Sequence, residues 1–285
     1  ETSTYTLSEF QKQSIALAAE RWSYILRDGK RMPLHILVST DDAFNASGGT
    51  EFLDDPPRED GIYPTLSYTM LMTESPSPQK YVGRMLIGKK TFPPTAPETD
   101  PWTPLPQEDG VAFHPATFHE FGHVMGMIDI VDESMTPHFP SALFTFQRFL
   151  YDHRGVRAKP DLAIKTDNYR PDSDEYFDLP GFYGNFDGRQ RLPYFYGPEV
   201  ARVLAGEQLK TYDALGRPIE QRVPGIPLNG NEGTPGDQDY LDGIPHSELR
   251  NSLMSHQRWR NYNTFMELEL AIFQDLGYSI DRRGF

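Results

Sequence analysis

Two histidines, His119 and His123, are the residues of this chain whose types and spacing most clearly predict chemistry. Pro115 precedes them, and proline is tolerated in the first turn of a helix, so we expect a helix to begin near it. Residues four apart lie one turn above each other on a helix, which directs both imidazoles at one point and predicts a pair of metal ligands. Glu120 then lies about 100° round the helix from His119. There it can contact a metal-bound water, so it is a candidate base and not a ligand.

The residues that follow predict a third ligand. Gly126 comes three residues after His123, and glycine most readily takes the left-handed conformation that ends a helix. A sharp turn there can bring Asp129 back beside the metal, with the fourth position left to water. Three protein ligands and an open position are the pattern of catalytic zinc, whereas structural zinc is closed by four. The alternative interpretation is an amphipathic core helix whose histidines are satisfied by hydrogen bonds.

The motif His119-Glu120-x-x-His123-x-x-Gly126-x-x-Asp129 resembles the signature of the metzincin zinc peptidases. The variant with aspartate as third ligand is similar to that of snapalysin-like bacterial enzymes. The resemblance implies an α+β fold with a twisted mixed sheet, a long N-terminal helix, an active-site helix and an irregular C-terminal subdomain that ends in a helix. It also implies a secreted or cell-surface zinc endopeptidase, in which Glu120 takes a proton from the zinc-activated water and passes it to the leaving amine.

A second stretch, residues 251–256, resembles the tight turn whose methionine lies beneath the zinc ligands of metzincins. Met254 is the methionine predicted for this position. The alternative is Met135, which falls only six residues after Asp129. We prefer Met254 because the last predicted helix follows it directly.

Transition-state stabilisation needs a donor to the developing oxyanion. Several metzincins carry a tyrosine two residues after the turn methionine, and His256 stands at that position here. We therefore name His256 as a candidate donor, with Tyr262 and His246 as less favoured substitutes. A surface histidine remains the alternative for each histidine, and we expect His114 to be a loop or cap residue.

Composition narrows the function classes. The chain has 285 residues, a net charge of −14 and no cysteine. The absence of cysteine excludes thiol catalysis, Cys-ligated zinc and disulfides. The acidic balance, without a run of Lys or Arg, argues against nucleic acid as a partner, and no apolar run is long enough to cross a membrane. We expect a monomer that acts on a protein or peptide substrate.

Several elements must position the motif. Thr6 and Glu9 have the spacing of a capping box and predict a first helix over about 7–28 that ends at Gly29. The apolar run 32–40 predicts a strand buried on both faces.

The next segments predict a loop and two strands. The Gly, Pro and Asp content of residues 41–62 is typical of a loop, and strands are expected over about 63–72 and 80–90. In metzincins the strand that borders the cleft pairs with substrate backbone. Residues 81–88 are our candidate for it, with an ordinary internal strand as the alternative.

Later segments predict a helix or strand at 141–151, a helix at 198–205 and a last helix. Thr264 and Glu267 have capping-box spacing before the last helix, and Gly277 ends it. Its apolar stripe contains Phe265, Leu268, Ile272, Phe273 and Leu276.

The domain prediction is one catalytic domain over residues 1–285. Its N-terminal subdomain is 1–126, with the active-site helix at about 115–125. Its C-terminal subdomain is 127–285, with a long insertion and the methionine turn near 251–256.

Two acidic stretches contain oxygen ligands suited to structural calcium. They are Asp172, Asp174, Asp178, Asn185 and Asp187, and later Asn229, Asn231, Asp237, Asp239 and Asp242. Neither stretch has the helix-loop-helix calcium spacing, and a solvated loop is the favoured interpretation.

The alternative function is a non-catalytic surface adhesion or binding module that contains zinc or calcium. Glu120 counts against the zinc version, because zinc binding alone does not require that carboxylate.

Overall fold

A computed structural model gives the fold of this chain. It describes residues 4–26, 33–42, 46–51, 61–73, 79–95, 112–128, 143–151, 155, 157–158, 194–206, 211–212, 218–219, 225–228, 246–247, 249, 252–255 and 264–282. These residues form a mixed structure of helices and small sheets, which confirms the predicted α+β class.

The described residues contain five α-helices and ten strands. The helices are α1 Glu9–Ile25, α2 Leu66–Thr73, α3 Phe113–Val124, α4 Pro198–Leu204 and α5 Glu267–Asp275. The strands are β1 Ile36–Asp41, β2 Ala46–Thr50, β3 Ile62–Tyr63, β4 Gly83–Gly88, β5 Leu143–Phe144, β6 Leu150–Tyr151, β7 Tyr194–Phe195, β8 Thr211–Tyr212, β9 Pro218–Ile219 and β10 Ile226–Pro227.

The contacts between residues divide the chain into two compact units. The first comprises Glu1–Asp54, Pro64–Met127 and Arg250–Phe285, and the second comprises Asp55–Tyr63 and Ile128–Leu249. The first unit therefore contains both the predicted metal helix and the stretch that resembles the methionine turn. The single catalytic domain expected from the sequence stays a prediction.

The first unit is built on a mixed sheet in the order β1-β4-β2. Strand β4 pairs in parallel with β1, where Ile36 is opposite Gly83, and antiparallel with β2, where Ala46 is opposite Ile87. Because β4 is paired on both sides, the prediction that 81–88 is a substrate-binding edge was wrong, and the internal-strand alternative is confirmed. The predicted loop over 41–62 was also wrong at 46–50, which form β2.

Two other predictions in this unit were wrong. Strand β1 lies at an edge of the described sheet and is only half-buried, not buried on both faces. The predicted strand over 63–72 is helix α2, since the Thr65 hydroxyl accepts the backbone N–H of Tyr68 and caps a helical turn. Leu66 and Met70, four residues apart, then share one face and pack with Val82.

Helix caps lie two residues later than the sequence predicted. Helix α1 is capped by Ser8 and Gln11, which exchange side-chain and backbone hydrogen bonds, instead of by Thr6 and Glu9. Helix α5 is capped by Glu269, whose carboxylate accepts the backbone N–H of Met266. The predicted apolar stripe of α5 is confirmed, because Phe265, Leu268, Ile272, Phe273 and Leu276 are all buried.

An aromatic core joins helices α1, α3 and α5. The Trp22 ring packs edge-on against Phe118, Phe265 and Phe273, with centroids 4.9 to 5.9 Å apart. The indole N–H of Trp22 donates to the backbone carbonyl of Phe118 at 3.1 Å. This bond satisfies the one polar group of the buried indole and fixes α1 against α3.

The second unit consists of short elements. Strand β3 pairs in parallel with β5, β7 lies between β6 and β10, and β8 pairs with β9. Helix α4 confirms the helix predicted at 198–205, and residues 143–151 form strands around a 3-10 turn at Gln147–Phe149. Both stretches considered for calcium lie outside the described residues. Among the helices that the structure describes, none is long and apolar enough to span a membrane.

Candidate metal centre

Helix α3 carries the two histidines of the motif. It begins at Phe113, so Pro115 lies in its first turn, where a missing N–H costs nothing. All of its residues are buried, and His119 and His123 are 1% and 5% exposed. The predicted helix and the placement of both imidazoles on one face are confirmed.

The two imidazoles meet through their Nε2 atoms. The Nε2 of His119 lies 2.9 Å from the Nε2 of His123. The ring centroids are 4.6 Å apart, and the rings are nearly perpendicular, at 80°. Zinc binds imidazole nitrogen at about 2.1 Å, so both nitrogens can reach a single cation.

The other nitrogen of each ring fixes its tautomer. The Nδ1 of His119 lies 2.7 Å from the backbone oxygen of Leu253, and the Nδ1 of His123 lies 2.7 Å from that of Met127. A carbonyl oxygen only accepts, so each Nδ1 carries the hydrogen and donates it. In the neutral rings, both Nε2 atoms therefore present lone pairs to each other.

Facing lone pairs at this distance repel, and a shared proton or a metal cation between them removes the repulsion. Metal-ligating histidines almost always donate their second ring N–H to a carbonyl or carboxylate. His119 and His123 both have this arrangement. The donor set therefore fits a divalent metal ion that prefers imidazole nitrogen.

Gly126 orients His123 through the turn that it forms. Its φ of +103° is left-handed, as the sequence predicted. The Gly126 N–H donates to His123 and the Met127 N–H donates to Gly122, a pair of bonds typical of a glycine-terminated helix. This turn reverses the chain and places the Met127 carbonyl beside the His123 ring.

Residues 252–255 form the turn that supplies the partner of His119. Met254 is fully buried in this turn, and a Cβ built on Gly122 of α3 would lie 2.7 Å from its Cε atom. The methionine thus packs directly against α3 at Gly122, within the last turn of the helix. Leu253 precedes it and accepts the Nδ1–H of His119.

Glu120, the candidate base, is 4% exposed. Its backbone lies against strand β2, because a Cβ on Gly48 would overlap the Glu120 carbonyl oxygen. Only glycine allows this close approach of strand to helix. The sequence prediction missed β2, since a pair of glycines such as Gly48 and Gly49 is also typical of a loop.

His246 belongs to the second unit. The sequence prediction considered His246 only as an oxyanion donor, because no spacing links it to the helical pair. The predicted residues Asp129, Met135, His256 and Tyr262 lie outside the described residues.

His114 has a structural role, and its prediction as a loop or cap residue was wrong. It is fully buried in the first turn of α3, where its Nδ1 donates to the carbonyl of Ser14 at 3.2 Å. The guanidinium of Arg21 lies 3.3 Å from its Nε2 and donates to it. Burial, and then the charge of Arg21, lower the pKa of His114 to about 4. The ring therefore joins α3 to α1 as a neutral group.

Neither a protein-family model, nor a curated protein, nor a solved structure matches this chain.

Proposed function

We propose that this chain is a zinc-dependent endopeptidase of the metzincin type, secreted or displayed at a cell surface. One observation carries the proposal: two helical imidazoles donate from Nδ1 to fixed carbonyls and bring their Nε2 atoms to 2.9 Å. Glu120 directly follows the first histidine, which favours hydrolysis over metal binding alone.

His119 and His123 are the proposed ligands on α3. When bound, zinc polarises the scissile carbonyl and lowers the pKa of its water to about 7. Glu120 would take a proton from the attacking water and pass it to the leaving amine, so peptide hydrolysis would need no covalent intermediate. Leu253 and Met127 hold the two rings in the ligating tautomer throughout.

The third ligand has two candidates. Asp129 has the spacing of the motif, and His246 carries a further imidazole. Histidine keeps the site neutral apart from the cation, whereas aspartate adds a negative charge and is a harder ligand. Comparing the zinc affinity of Asp129→Ala with that of His246→Ala decides between them, because loss of the true ligand weakens binding far more.

The function is tested with wild type and Glu120→Gln. We expect one zinc per chain in both proteins, and peptide cleavage that falls by at least about a hundredfold in the variant, the usual contribution of a positioned base. Circular dichroism controls for folding of the variant. Zinc without cleavage in either protein supports the non-catalytic binding module, and cleavage by Glu120→Gln at the wild-type rate contradicts the role of Glu120.

A further inference from the structure

We propose that Glu269 is a positioning residue for the metal centre: it fixes the turn 252–255, and through the Leu253 carbonyl it sets the orientation of His119. This inference rests on the proposed function for its catalytic meaning. The structural part of the inference, the coupling of Glu269 to the His119 ring, is testable in the metal-free protein.

Glu269 brings a carboxylate into the interior of the first unit. It lies on α5 and is fully buried. Its Oε1 accepts from the Ser252 hydroxyl at 2.5 Å and from the Met254 N–H at 2.6 Å. Its Oε2 accepts the Met266 N–H at 2.7 Å. Both carboxylate oxygens of Glu269 therefore accept hydrogen bonds, two from backbone N–H groups and one from a serine hydroxyl.

Capping of α5 accounts only for the hydrogen bond that Oε2 accepts. A glutamate at the third helical position accepts the N–H of the capping residue, as Glu269 does with Met266. Such a cap works at the protein surface, where the carboxylate stays hydrated. Burial raises the pKa of Glu269, and the donors oppose that shift, so placing this group in the core costs free energy. Capping does not account for the two hydrogen bonds that Oε1 accepts.

The Oε1 atom of Glu269 holds the turn 252–255. Ser252 and Met254 flank Leu253, and both are held by the same oxygen of Glu269. Fixing the residues on either side of Leu253 fixes the direction of its carbonyl, which accepts the Nδ1–H of His119 at 2.7 Å. Outer partners of this kind set ring orientation and tautomer at metal sites.

The second histidine provides an internal control. The carbonyl that orients His123 belongs to Met127, and the turn at Gly126 fixes it without Glu269. Loss of Glu269 should therefore disturb His119 and leave His123 in its present tautomer. General loosening of the fold would affect both rings.

The experiment compares Glu269→Gln with Glu267→Gln. Both changes replace a carboxyl group of α5 with an amide, but Glu267 is exposed and pairs with Arg282. Each oxygen of the Glu269 carboxylate accepts a backbone N–H, so the NH2 of glutamine must oppose one of these donors and weaken the network that holds the turn. Ser252→Ala is a milder second variant, which removes one of the donors and keeps the cap of α5.

Two readouts are used. Long-range 15N NMR of the metal-free full chain, assigned with single histidine variants, reports the tautomer of each ring. We expect a fixed Nδ1–H tautomer for both rings in wild type and Glu267→Gln, and a mixture for His119 alone in Glu269→Gln and Ser252→Ala. Zinc affinity by competition with a chelating dye should fall about 10- to 100-fold in Glu269→Gln.

An unchanged His119 tautomer in folded Glu269→Gln and Ser252→Ala overturns the inference. Equal disturbance of His119 and His123 also overturns it, because that result means a general structural role. Failure of wild type to cleave peptides removes the proposed function but leaves the NMR result standing, so the two claims fail separately.

Discussion

The Nδ1–H of His119 donates to the backbone carbonyl of Leu253 at 2.7 Å, although 134 residues separate the two along the chain. This bond joins the two stretches that the sequence singled out, the histidine helix and the turn around Met254. It also shows what the turn supplies: a fixed acceptor for His119, together with an apolar side chain packed against the helix. The first unit of the chain thus holds both orienting carbonyls of the proposed zinc ligands.

Gly126→Ala should weaken both folding and zinc binding. The left-handed backbone at this position costs alanine about 1 to 2 kcal/mol, and its Cβ would lie 2.9 Å from the Cγ2 of Thr65. Movement of the turn also displaces the Met127 carbonyl from His123. Urea denaturation and zinc titration measure the two effects.

Gly206→Ala is the matched control for this change. Gly206 also has a left-handed φ, of +84°, but its Cβ would meet nothing within 4 Å. We expect a similar backbone cost of about 1 kcal/mol and unchanged zinc affinity. Equal zinc affinity in both variants would show that the turn at Gly126 does not orient His123.

Gly122→Ala should destabilise the chain even though alanine favours a helix interior by about 1 kcal/mol. A Cβ there would lie 2.7 Å from the Cε of Met254, which is fully buried, so the methionine would have to shift inside the core. We expect a net loss of about 1 to 3 kcal/mol in the free energy of unfolding.

A double-mutant cycle with Met254→Ala identifies the cause. If the clash is responsible, the free energy of unfolding should fall less in the double variant than the two single losses added together. The expected difference is about 0.5 to 3 kcal/mol. Additive effects would mean that Gly122 and Met254 do not contact each other in solution.

Gly48 and Gly49 form a matched pair on strand β2. A Cβ on Gly48 meets the backbone of Glu120, which cannot rotate away, whereas a Cβ on Gly49 meets nothing within 4 Å. Gly48→Ala should cost about 3 kcal/mol and reduce cleavage, because strand and helix must separate. Gly49→Ala should change the free energy of unfolding by less than about 0.5 kcal/mol. Thermal unfolding and peptide cleavage provide the comparison, and equal behaviour of the two variants would show that β2 does not lie against α3.

His114 should make stability depend on pH below neutrality. Its pKa falls from 6.5 to about 4 on folding, so between these values the unfolded chain binds more protons than the folded one. The contribution of neutral His114 to the free energy of unfolding is therefore fully present above pH 6.5. It is lost as the pH falls towards 4, by at most about 3 kcal/mol.

The variant His114→Gln isolates this effect, because glutamine does not titrate. Urea unfolding of chelator-treated protein at several pH values should show a smaller loss for the variant than for wild type. Chelator treatment removes the contribution of zinc release from the comparison. Identical pH profiles would show that His114 is not a buried neutral group.

Local signals made the two principal helices predictable. The spacing of His119, Glu120 and His123 and the apolar stripe of α5 repeat with helical periodicity, and Gly126 and Gly277 are left-handed as expected at helix ends. Caps were less certain, because Ser, Thr, Glu and Gln near α1 allow more than one capping pair. Tertiary contacts then select Ser8 and Gln11, whose side-chain amide also donates to the carbonyl of Phe92.

Other features have no local signal. Strand β2 depends on Gly48 meeting Glu120, and sequence composition alone makes two glycines look like a loop. The acceptors at Leu253 and Met127 are backbone carbonyls, which every residue has, so no residue type identifies them.

Zinc stoichiometry by native mass spectrometry tests the central claim most directly. Wild type, His119→Ala, His123→Ala and the double variant are prepared without chelators and supplied with one equivalent of zinc. Ligation by the facing Nε2 atoms predicts one zinc in wild type, and strongly reduced or absent zinc in the single and double variants. No zinc in wild type, or one zinc retained by the double variant, would contradict it.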